Sequence, residues 1–329
     1  MKILITGGTG FIGSRLALEG IRRGHRVRVF GQVNTAAERQ NREQLDRQSV
    51  EVVLGSVIEQ SKVAAAVSGC DLVFHLAAAQ HESNVPDQHF RDVNVAGTRH
   101  VLDACHSGGV KRVVHGSTIG VYGEAMEGAL DESSPVKPNS IYGETKLEGE
   151  RLVLSYADRL PLSIIRISET YGPGDRRLLK LFKAVRSKMF FMIGRGENIH
   201  QLIYIDDLVE GMFLAAERPE ALGKLYVLAG SEMLTTNDMV AAIADVLCRS
   251  GPQRRLPLWP FLAAGFILEK TLRPLGIKPP LHRRRLDFFR KSFYFNPGKS
   301  NRDLGFQPKT PFREGAELTV RWYRDQGLL

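Results

Sequence analysis

The amino-acid sequence, 329 residues long, predicts an α/β fold in which a doubly wound parallel sheet is followed by a smaller C-terminal lobe. Through the first half of the chain, short apolar runs alternate with amphipathic stretches, a pattern typical of repeated strand, helix and strand units. Several of these runs are apolar at consecutive positions, as expected for strands that helices cover on both faces.

The predicted elements follow the chain in a regular order. Strands are expected at 2–6, 26–30, 50–54, 71–75, 112–115 and 162–167, with helices at 11–23, 87–106 and 140–159. After about residue 175 the alternation loosens, and we expect helices at 176–188, 207–218 and 236–249 and strands at 202–205 and 225–229.

The composition is that of an ordinary globular chain, with 43% hydrophobic and 25% charged residues. Its three cysteines are far apart and odd in number, which argues against a disulfide framework and a cysteine-rich zinc site. The first apolar run is too short for a signal peptide, so a cytoplasmic protein is expected. The apolar segment 256–268 contains two prolines and is shorter than the roughly 20 residues that a membrane-spanning helix needs.

Positive charge is concentrated towards the C-terminus. Residues 249–302 carry thirteen Lys or Arg against two acids, a local excess of eleven in a chain of net charge +9. Such a field attracts a phosphorylated substrate, an anionic lipid surface or nucleic acid. Bulky side chains such as Trp259 and Phe266 lie among the charges, which suits peripheral contact with an anionic membrane as well as burial in a core. No nucleic-acid partner is expected, because no reader motif accompanies the charge.

A glycine-rich turn, Thr6-Gly7-Gly8-Thr9-Gly10-Phe11-Ile12-Gly13, lies between the first strand and the first helix. Its glycines permit a tight turn, the approach of a pyrophosphate to backbone N–H groups, and close packing of helix on strand. This position predicts a dinucleotide-binding Rossmann fold. Residues 1–175, with a return at about 200–230, are expected to form the NAD(P)-binding domain, and 176–329 mainly the substrate-binding lobe. The expected cofactor ligands in the turn are Gly7, Thr9, Gly10, Phe11, Ile12 and Gly13.

Further motifs are spread over nearly the whole chain: His75-Leu76-Ala77-Ala78, Asn94-Val95-Ala96-Gly97-Thr98, Ser117-Thr118, Tyr142-Gly143-Glu144-Thr145-Lys146, Tyr171-Gly172-Pro173-Gly174, Asp206-Asp207-Leu208 and Leu304-Gly305-Phe306-Gln307-Pro308. With the G-x-x-G-x-x-G turn they make the chain similar to the extended short-chain dehydrogenases/reductases, which include nucleotide-sugar epimerases, dehydratases and 3β-hydroxysteroid dehydrogenases. The resemblance implies a homodimer formed through 87–106 and 140–159. It also adds Leu76, Ala77, Ala78 and Asn94 to the cofactor site.

Tyr142 and Lys146 are four residues apart on a predicted helix, so their side chains share one face. Hydride transfer at a carbinol carbon requires a group that exchanges the hydroxyl proton. Free tyrosine has a pKa of about 10, and a nearby ammonium group favours its phenolate. The resemblance implies that Lys146 also binds the nicotinamide ribose and that Thr118 hydrogen-bonds the substrate oxygen, with Ser117 as a neighbour that could share this role.

Two departures from the family pattern concern the cofactor. NAD-using relatives place an acid after the second strand, whereas this chain has Phe30-Gly31-Gln32, which does not repel a 2′-phosphate. Arg15 and Arg39 are candidates to balance that phosphate, so NADP is slightly favoured over NAD. After the third strand the customary Gly-Asp is replaced by Gly55-Ser56, which changes the expected adenine contact at Ser56.

Other departures concern the substrate. Ile119-Gly120 follows Thr118 where 4,6-dehydratases have an Asp-Glu pair, so dehydration is disfavoured. Nucleotide-sugar epimerases carry an Asn and an Arg against the substrate pyrophosphate, and this chain has Glu169 and His200 at those places. A carboxylate repels a diphosphate unless another group compensates. Candidates for that compensation are Arg283, Arg284, Arg285 and Arg290, with Arg285 taken as the expected substrate residue beside Glu169 and His200.

The leading hypothesis is an NAD(P)-dependent enzyme that transfers hydride to or from a secondary alcohol or ketone on a lipid-like or steroid-like molecule. Segment 256–268 supports it, since it looks like the corresponding region of 3β-hydroxysteroid and sterol-carboxylate dehydrogenases. The alternative is a nucleotide-sugar 4-epimerase that acts through a transient 4-keto sugar with bound NAD. A non-catalytic nucleotide-sensing protein is a third hypothesis, disfavoured because Thr118, Tyr142 and Lys146 are all present. No metal is expected, because the histidines lack ligand spacing.

Overall fold

The computed structural model describes residues 1–80, 85–123, 128–187, 190–249, 254–272 and 286–329. Its central sheet contains seven strands: β1 (Lys2–Thr6), β2 (Arg26–Gly31), β3 (Glu51–Leu54), β4 (Leu72–His75), β5 (Arg112–Thr118), β6 (Leu162–Ile167) and β11 (Lys224–Leu228). They are arranged in the order β11-β6-β5-β4-β1-β2-β3, and every neighbouring pair is parallel. The predicted fold class is confirmed.

Short strands make three small two-stranded sheets beyond the central one: β7 (Thr170–Tyr171) with β10 (Ile203–Tyr204), β9 (Ile199–His200) with β12 (Leu234–Thr235), and β8 (Met192–Ile193) with β13 (Arg255–Leu256). The α-helices are α1 (Phe11–Arg22), α2 (Ala36–Arg47), α3 (Gln60–Val67), α4 (Asp87–Arg91), α5 (Gly97–Ser107), α6 (Ile141–Leu154), α7 (Leu179–Arg186), α8 (Ile205–Glu217), α9 (Thr236–Val246), α10 (Leu258–Leu272), and two more at Gly298–Leu304 and Phe312–Asp325.

The two faces of the sheet carry separate parts of the core. Ile3 and Ile5 of β1 belong to one apolar cluster, while Leu4 between them belongs to another on the opposite face. All three are fully buried. Successive side chains of a strand point to opposite faces, so a strand with helices on both sides must be apolar at consecutive positions.

Several element boundaries differ from the sequence prediction. The expected strand at 202–205 ends at Tyr204, and α8 begins at Ile205 because Asp206 and Asp207 favour the positive end of a helix in its first turn. The expected helix at 87–106 is interrupted by one π-helical turn, Asp92–Ala96. Helices α2, α3 and Phe312–Asp325 were not predicted at all.

The carboxyl ends of the central strands lie along one edge of the sheet. Thr6 is the register partner of His75, and Thr118 is the partner of Ile167. Ligands of open α/β sheets bind beyond this edge, so the glycine turn after β1 and the Ser-Thr end of β5 face a common site.

Candidate active site

The glycine turn is held tightly against neighbouring backbone. Gly7 has φ of +69°, and a Cβ added there would lie 2.8 Å from the backbone N of Ala77. A Cβ on Gly13 would lie only 2.4 Å from the carbonyl oxygen of Gly7. Both positions therefore require glycine. Gly7 needs it for its positive φ and for the close packing of the turn on Leu76-Ala77, and Gly13 needs it for the close packing of α1 on the turn.

The start of α1 is open to a ligand. Gly10 is the N-cap and provides no side-chain cap, and a Cβ there would meet only Gly7 O, at 3.2 Å. The first-turn N–H groups, which include those of Phe11, Ile12 and Gly13, have no partner within the helix and stand at its positive end. The turn therefore fits the pyrophosphate of NAD(P).

Thr9 connects this turn to the end of β2 and to α2. Its Oγ1 donates to Gln32 O at 2.7 Å, and its carbonyl oxygen accepts from Asn41 Nδ2 at 2.8 Å. The side chains of Gln32 and Arg39 are exposed. Arg15 forms a bidentate ion pair with Asp206 of α8, at 2.5 and 2.8 Å. Of the two predicted phosphate ligands, Arg15 is therefore already paired, while Arg39 is on the solvent side of α2.

The side chain of Asn94 binds backbone groups beside the predicted cofactor site. It is buried in the π-helical turn, where its Oδ1 accepts from Ala79 N at 2.8 Å and its Nδ2 donates to Ala79 O and to Thr145 Oγ1. These bonds fix the segment that contains Leu76, Ala77 and Ala78 and join it to α6. At the end of β3, the N–H of Ser56 donates to Glu59 Oε2 at 2.8 Å.

The structure brings Thr118 and Tyr142 together around Gly120. Ser140 caps α6, and the close approach of Gly143 to Gly120 O, 2.7 Å from an added Cβ, sets the helix against the turn after β5. A Cβ on Gly120 would lie 3.4 Å from Thr118 Oγ1 and 3.9 Å from Tyr142 Cδ1. The ring of Tyr142 and the hydroxyl of Thr118 thus flank one small residue.

Lys146 lies one turn further along α6 and is 2% exposed. Its Nζ donates to Gly116 O at 2.7 Å. Burial lowers the pKa of Lys146 to about 8, although the carboxylate of Glu150 acts in the opposite direction.

The hydroxyl of Ser117 does not have the position that its predicted role as a second substrate ligand requires. Successive residues of a strand face opposite sides, and the Ser117 hydroxyl is buried and donates to Glu150 Oε1 at 2.5 Å. Glu150 was not among the predicted site residues, although its position four residues after Lys146 places it on the same helix face as Tyr142 and Lys146.

Glu169 and His200 form a pair beyond β6. Glu169 lies two residues after Ile167, the register partner of Thr118, and its Oε2 is 3.1 Å from His200 Nδ1. The imidazole is buried and lies 4.8 Å from the Phe288 ring, centroid to centroid. Burial opposes ionisation of Glu169, but the hydrogen bond and charge of His200, with the charge of Arg177, lower the pKa of Glu169 to about 2.

The basic lobe, residues 249–302 with their excess of Lys and Arg, is described only in part. The expected substrate residue Arg285 lies outside the described residues, as do Arg283 and Arg284. Arg290 is described, and its Nη2 donates to Asp287 Oδ1 at 2.9 Å. Arg290 is therefore paired with an acid of its own turn.

The aromatic residues of this lobe fall into two groups. Phe288 and Phe289 pack against the main core. On α10, by contrast, Trp259 is 72% exposed, Phe266 53% and Ile267 58%. Across the part of the chain that the structure describes, no helix is long and apolar enough to cross a membrane.

No metal centre is found among the described residues, where no three His, Cys, Asp or Glu side chains are grouped closely enough to hold an ion.

Comparisons with known proteins agree with this geometry. The family model described as "NAD dependent epimerase/dehydratase family" matches residues 3–229. The chain is 28% identical over 336 residues to the sterol-4-α-carboxylate 3-dehydrogenase (decarboxylating) of Mus musculus, covering 97% of this chain and 90% of that protein. It is 30% identical over 292 residues to 3β-hydroxysteroid-dehydrogenase/decarboxylase isoform 2 of Arabidopsis thaliana, covering 82% of this chain but only 51% of that longer protein.

The solved structure of UDP-glucuronic acid 4-epimerase from Bacillus cereus in complex with NAD has the same fold, with a TM-score of 0.81, 23% identity and 99% of each chain covered. Fold, motifs and family model agree. The chain belongs to the NAD-dependent epimerase/dehydratase family, within the extended short-chain dehydrogenases/reductases.

Proposed function

We propose that this protein is an NAD(P)-dependent oxidoreductase that carries out net oxidation or reduction of a secondary alcohol or ketone on a lipid-like or steroid-like molecule. The observation that carries the proposal is the Glu169–His200 pair. It stands where the resemblance to nucleotide-sugar epimerases implies an Asn and an Arg against a pyrophosphate. An ionised Glu169 accepts hydrogen bonds but donates none, and His200 Nδ1 is engaged with it, so the pair does not offer a pyrophosphate the donors of that Asn and Arg.

The chemistry needs three side chains. When bound, the nicotinamide cofactor supplies or accepts hydride. The Tyr142 hydroxyl gives a proton to the substrate oxygen in reduction and takes one in oxidation, while Thr118 Oγ1 orients that oxygen. The ammonium of Lys146 favours the phenolate form of Tyr142 and binds the nicotinamide ribose.

Two further observations support an apolar substrate. Both relatives described above carry sterol or steroid dehydrogenase names, and the first of them matches over most of its length. Helix α10, next to the strand pair β8–β13, exposes several large apolar side chains. Apolar surface of this kind suits contact with a hydrophobic ligand or with the surface from which it comes.

The proposal is tested by incubating the protein with NAD(P)H or NAD(P) and a panel of sterol, steroid and long-chain ketones and alcohols. A stoichiometric change in nicotinamide absorbance, lost in Tyr142→Phe, is the expected result. Interconversion of UDP-sugar epimers with no net change in nicotinamide would overturn it and establish the alternative, a nucleotide-sugar 4-epimerase. That alternative is supported by Ile119-Gly120 in place of a dehydratase acid pair and by the shared fold with a 4-epimerase.

We also propose a slight preference for NADP over NAD. Its support is the lack of an acid after β2, where Gln32 is exposed, and the exposed Arg39 on α2. Arg39→Ala is expected to weaken NADPH binding more than NADH binding. Equal dissociation constants for NADPH and NADH in the unaltered protein would contradict the preference.

For quaternary structure and domains we propose a homodimer through 87–106 and 140–159. Residues 1–175, with a return at about 200–230, form the cofactor-binding domain in this proposal, and 176–329 form mainly the substrate-binding lobe. The dimer is supported by the resemblance. Light scattering of the purified protein tests it, and a mass of one chain at micromolar concentration would refute it.

We propose a cytoplasmic location and, from α10, peripheral contact with an anionic membrane surface. Its exposed Trp259, Phe266 and Ile267 lie in a segment rich in Lys and Arg, and such a surface binds anionic lipid through apolar insertion and charge. Sedimentation with anionic vesicles at low salt, reduced by high salt and by Trp259→Ser, is expected. Absence of binding at low salt, or equal binding to neutral vesicles, would remove the proposal.

A further inference from the structure

Helix α6 carries a third polar group on its catalytic face. Tyr142, Lys146 and Glu150 follow one another at intervals of four residues, and Glu150 is 2% exposed. Glu150 Oε1 accepts from Ser117 Oγ at 2.5 Å and from Arg166 Nε at 3.0 Å, and Oε2 accepts from Arg166 Nη2 at 2.9 Å. The carboxylate is therefore fully engaged in a bidentate pair and a short hydroxyl bond.

Arg166 extends the network to the strand and turn that carry Thr118. It lies on β6 as the register partner of Ser117 on β5. Its Nη1 donates to Tyr122 OH at 3.0 Å, and Tyr122 OH donates to Asp131 O at 2.7 Å. One buried network thus connects α6, β5, β6 and the turn Ile119–Tyr122.

Stability alone is a weak reason for this arrangement. The side chains of Arg166 and Glu150 are 6% and 2% exposed, and a buried ion pair commonly contributes no more than apolar residues of the same size would. We propose that Glu150, held in place by Arg166 and Ser117, is a positioning residue that keeps Lys146 in its ammonium form and fixes β5 against α6.

The surroundings of Lys146 support this role. The titratable and charged groups around it are Tyr142 and Glu150 on its own helix, His75 on β4, His115 on β5 and Arg166 on β6, which is paired with Glu150. Burial, with the charge of Lys146, lowers the pKa of His75 to about 3 and that of His115 well below its usual value, so both imidazoles are neutral. Of the groups identified among the described residues, Glu150 is the carboxylate that opposes the effect of burial on the pKa of Lys146.

The inference rests on the proposed function for the importance of Lys146, but its test needs neither substrate nor turnover. Lysines labelled with ¹³C at Cε are followed by NMR through a pH titration of the full chain, and the Lys146 signal is assigned by its loss in Lys146→Arg. In Glu150→Gln the titration midpoint of Lys146 is expected to fall by about 1 unit or more, because a nearby opposite charge shifts a pKa by roughly that amount. In Glu150→Asp, which keeps the charge, the Lys146 midpoint should stay close to its value in the unaltered protein.

The matched control is Glu148→Gln, the same substitution on the same helix at a partly exposed acid that pairs with Arg91. It should leave the Lys146 midpoint unchanged. An unchanged midpoint in Glu150→Gln, or a fall of the same size in Glu148→Gln, would overturn the proposal.

Glu150→Gln leaves Arg166 buried without its partner, so this variant could unfold. The double variant Glu150→Gln with Arg166→Gln removes both charges and keeps an amide pair. It also removes the cation of Arg166, so it is compared with Arg166→Gln alone: the Lys146 midpoint should be lower in the double variant than in Arg166→Gln, and equal midpoints in these two variants would refute the role of Glu150. Loss of sterol turnover with a normal Lys146 titration would count against the proposed substrate and leave the positioning role intact.

Discussion

The glycine turn on the cofactor side and the Glu169–His200 pair on the substrate side are built from different kinds of contact. Gly7, Gly10 and Gly13 act through backbone conformation and through the space that a missing Cβ leaves, within seven consecutive residues. Glu169 and His200 are 31 positions apart and meet where β7 pairs with β10, which places Thr170 opposite Ile203. The proposed pyrophosphate site is therefore local in sequence, whereas the proposed substrate pair depends on long-range packing.

The largest expected effect lies where the two sides meet, at Tyr142. Tyr142→Phe removes the hydroxyl that exchanges a proton with substrate, so turnover should fall by about 10²- to 10⁴-fold. NADPH binding, followed by nicotinamide fluorescence, should be unchanged, because the phenol is assigned to substrate. Full activity in the variant would show that the acid–base assignment is wrong.

On the cofactor side, two glycine substitutions separate folding from binding. Gly13→Ala places a methyl group 2.4 Å from Gly7 O, so the free energy of unfolding should fall by about 1–3 kcal/mol and cofactor binding should be lost. Gly10→Ala meets only one atom, at 3.2 Å, so stability should change little. Its methyl group lies where the pyrophosphate approaches, and NADPH affinity should fall by about tenfold, or about 1.4 kcal/mol.

Calorimetric binding and denaturant unfolding measure these two effects. Equal destabilisation by both substitutions, or unaltered NADPH binding in Gly10→Ala, would contradict the assigned path of the pyrophosphate.

On the substrate side, Glu169→Gln should increase affinity for UDP by a few-fold, about 1 kcal/mol, because it replaces a carboxylate that only accepts hydrogen bonds by an amide that can donate one to the diphosphate. Uridine, which lacks the diphosphate, should bind equally to both proteins. Glu220→Gln provides a control at an exposed acid. If UDP affinity fell in Glu169→Gln, the carboxylate would not be excluding a diphosphate, and the epimerase alternative would gain support.

The smallest expected effect concerns the loss of folding stability at acid pH, and it is assigned to His115 on β5. His115 is buried, and neither ring nitrogen has a hydrogen-bond partner in the part of the chain that the structure describes. Its folded-state pKa lies below the unfolded value of about 6.5, so its contribution is intact above that pH and stability is lost as the pH falls below it.

His115→Leu should therefore be at least as stable as the unaltered protein at neutral pH and should lose less stability between about pH 6.5 and 4. Urea unfolding at several pH values measures this, with the exposed His106→Leu as control. An unchanged pH dependence in His115→Leu would show that His115 does not titrate on unfolding.

The same contrast explains what could be predicted from sequence. The central strands and the fingerprint turn were predictable because apolar runs and glycine spacing are local signals. Helix α2 was missed because it is almost wholly polar, with only Leu45 buried, although its capping box of Thr35 and Glu38 was a readable start signal. The engagement of Ser117 by Glu150 could not be predicted, because it depends on the separation of β5 and α6 in space.

The central claim, net oxidation or reduction instead of epimerisation, is tested most directly by identifying the nucleotide that the purified protein carries. An epimerase restores its cofactor in every turnover and can keep it bound, whereas a net oxidoreductase must exchange it. Mass spectrometry of the denatured protein should find far less than one nucleotide per chain, and the native protein should bind added NADPH or NAD reversibly. Near-stoichiometric NAD that does not exchange would contradict the account and assign the protein to the nucleotide-sugar epimerases.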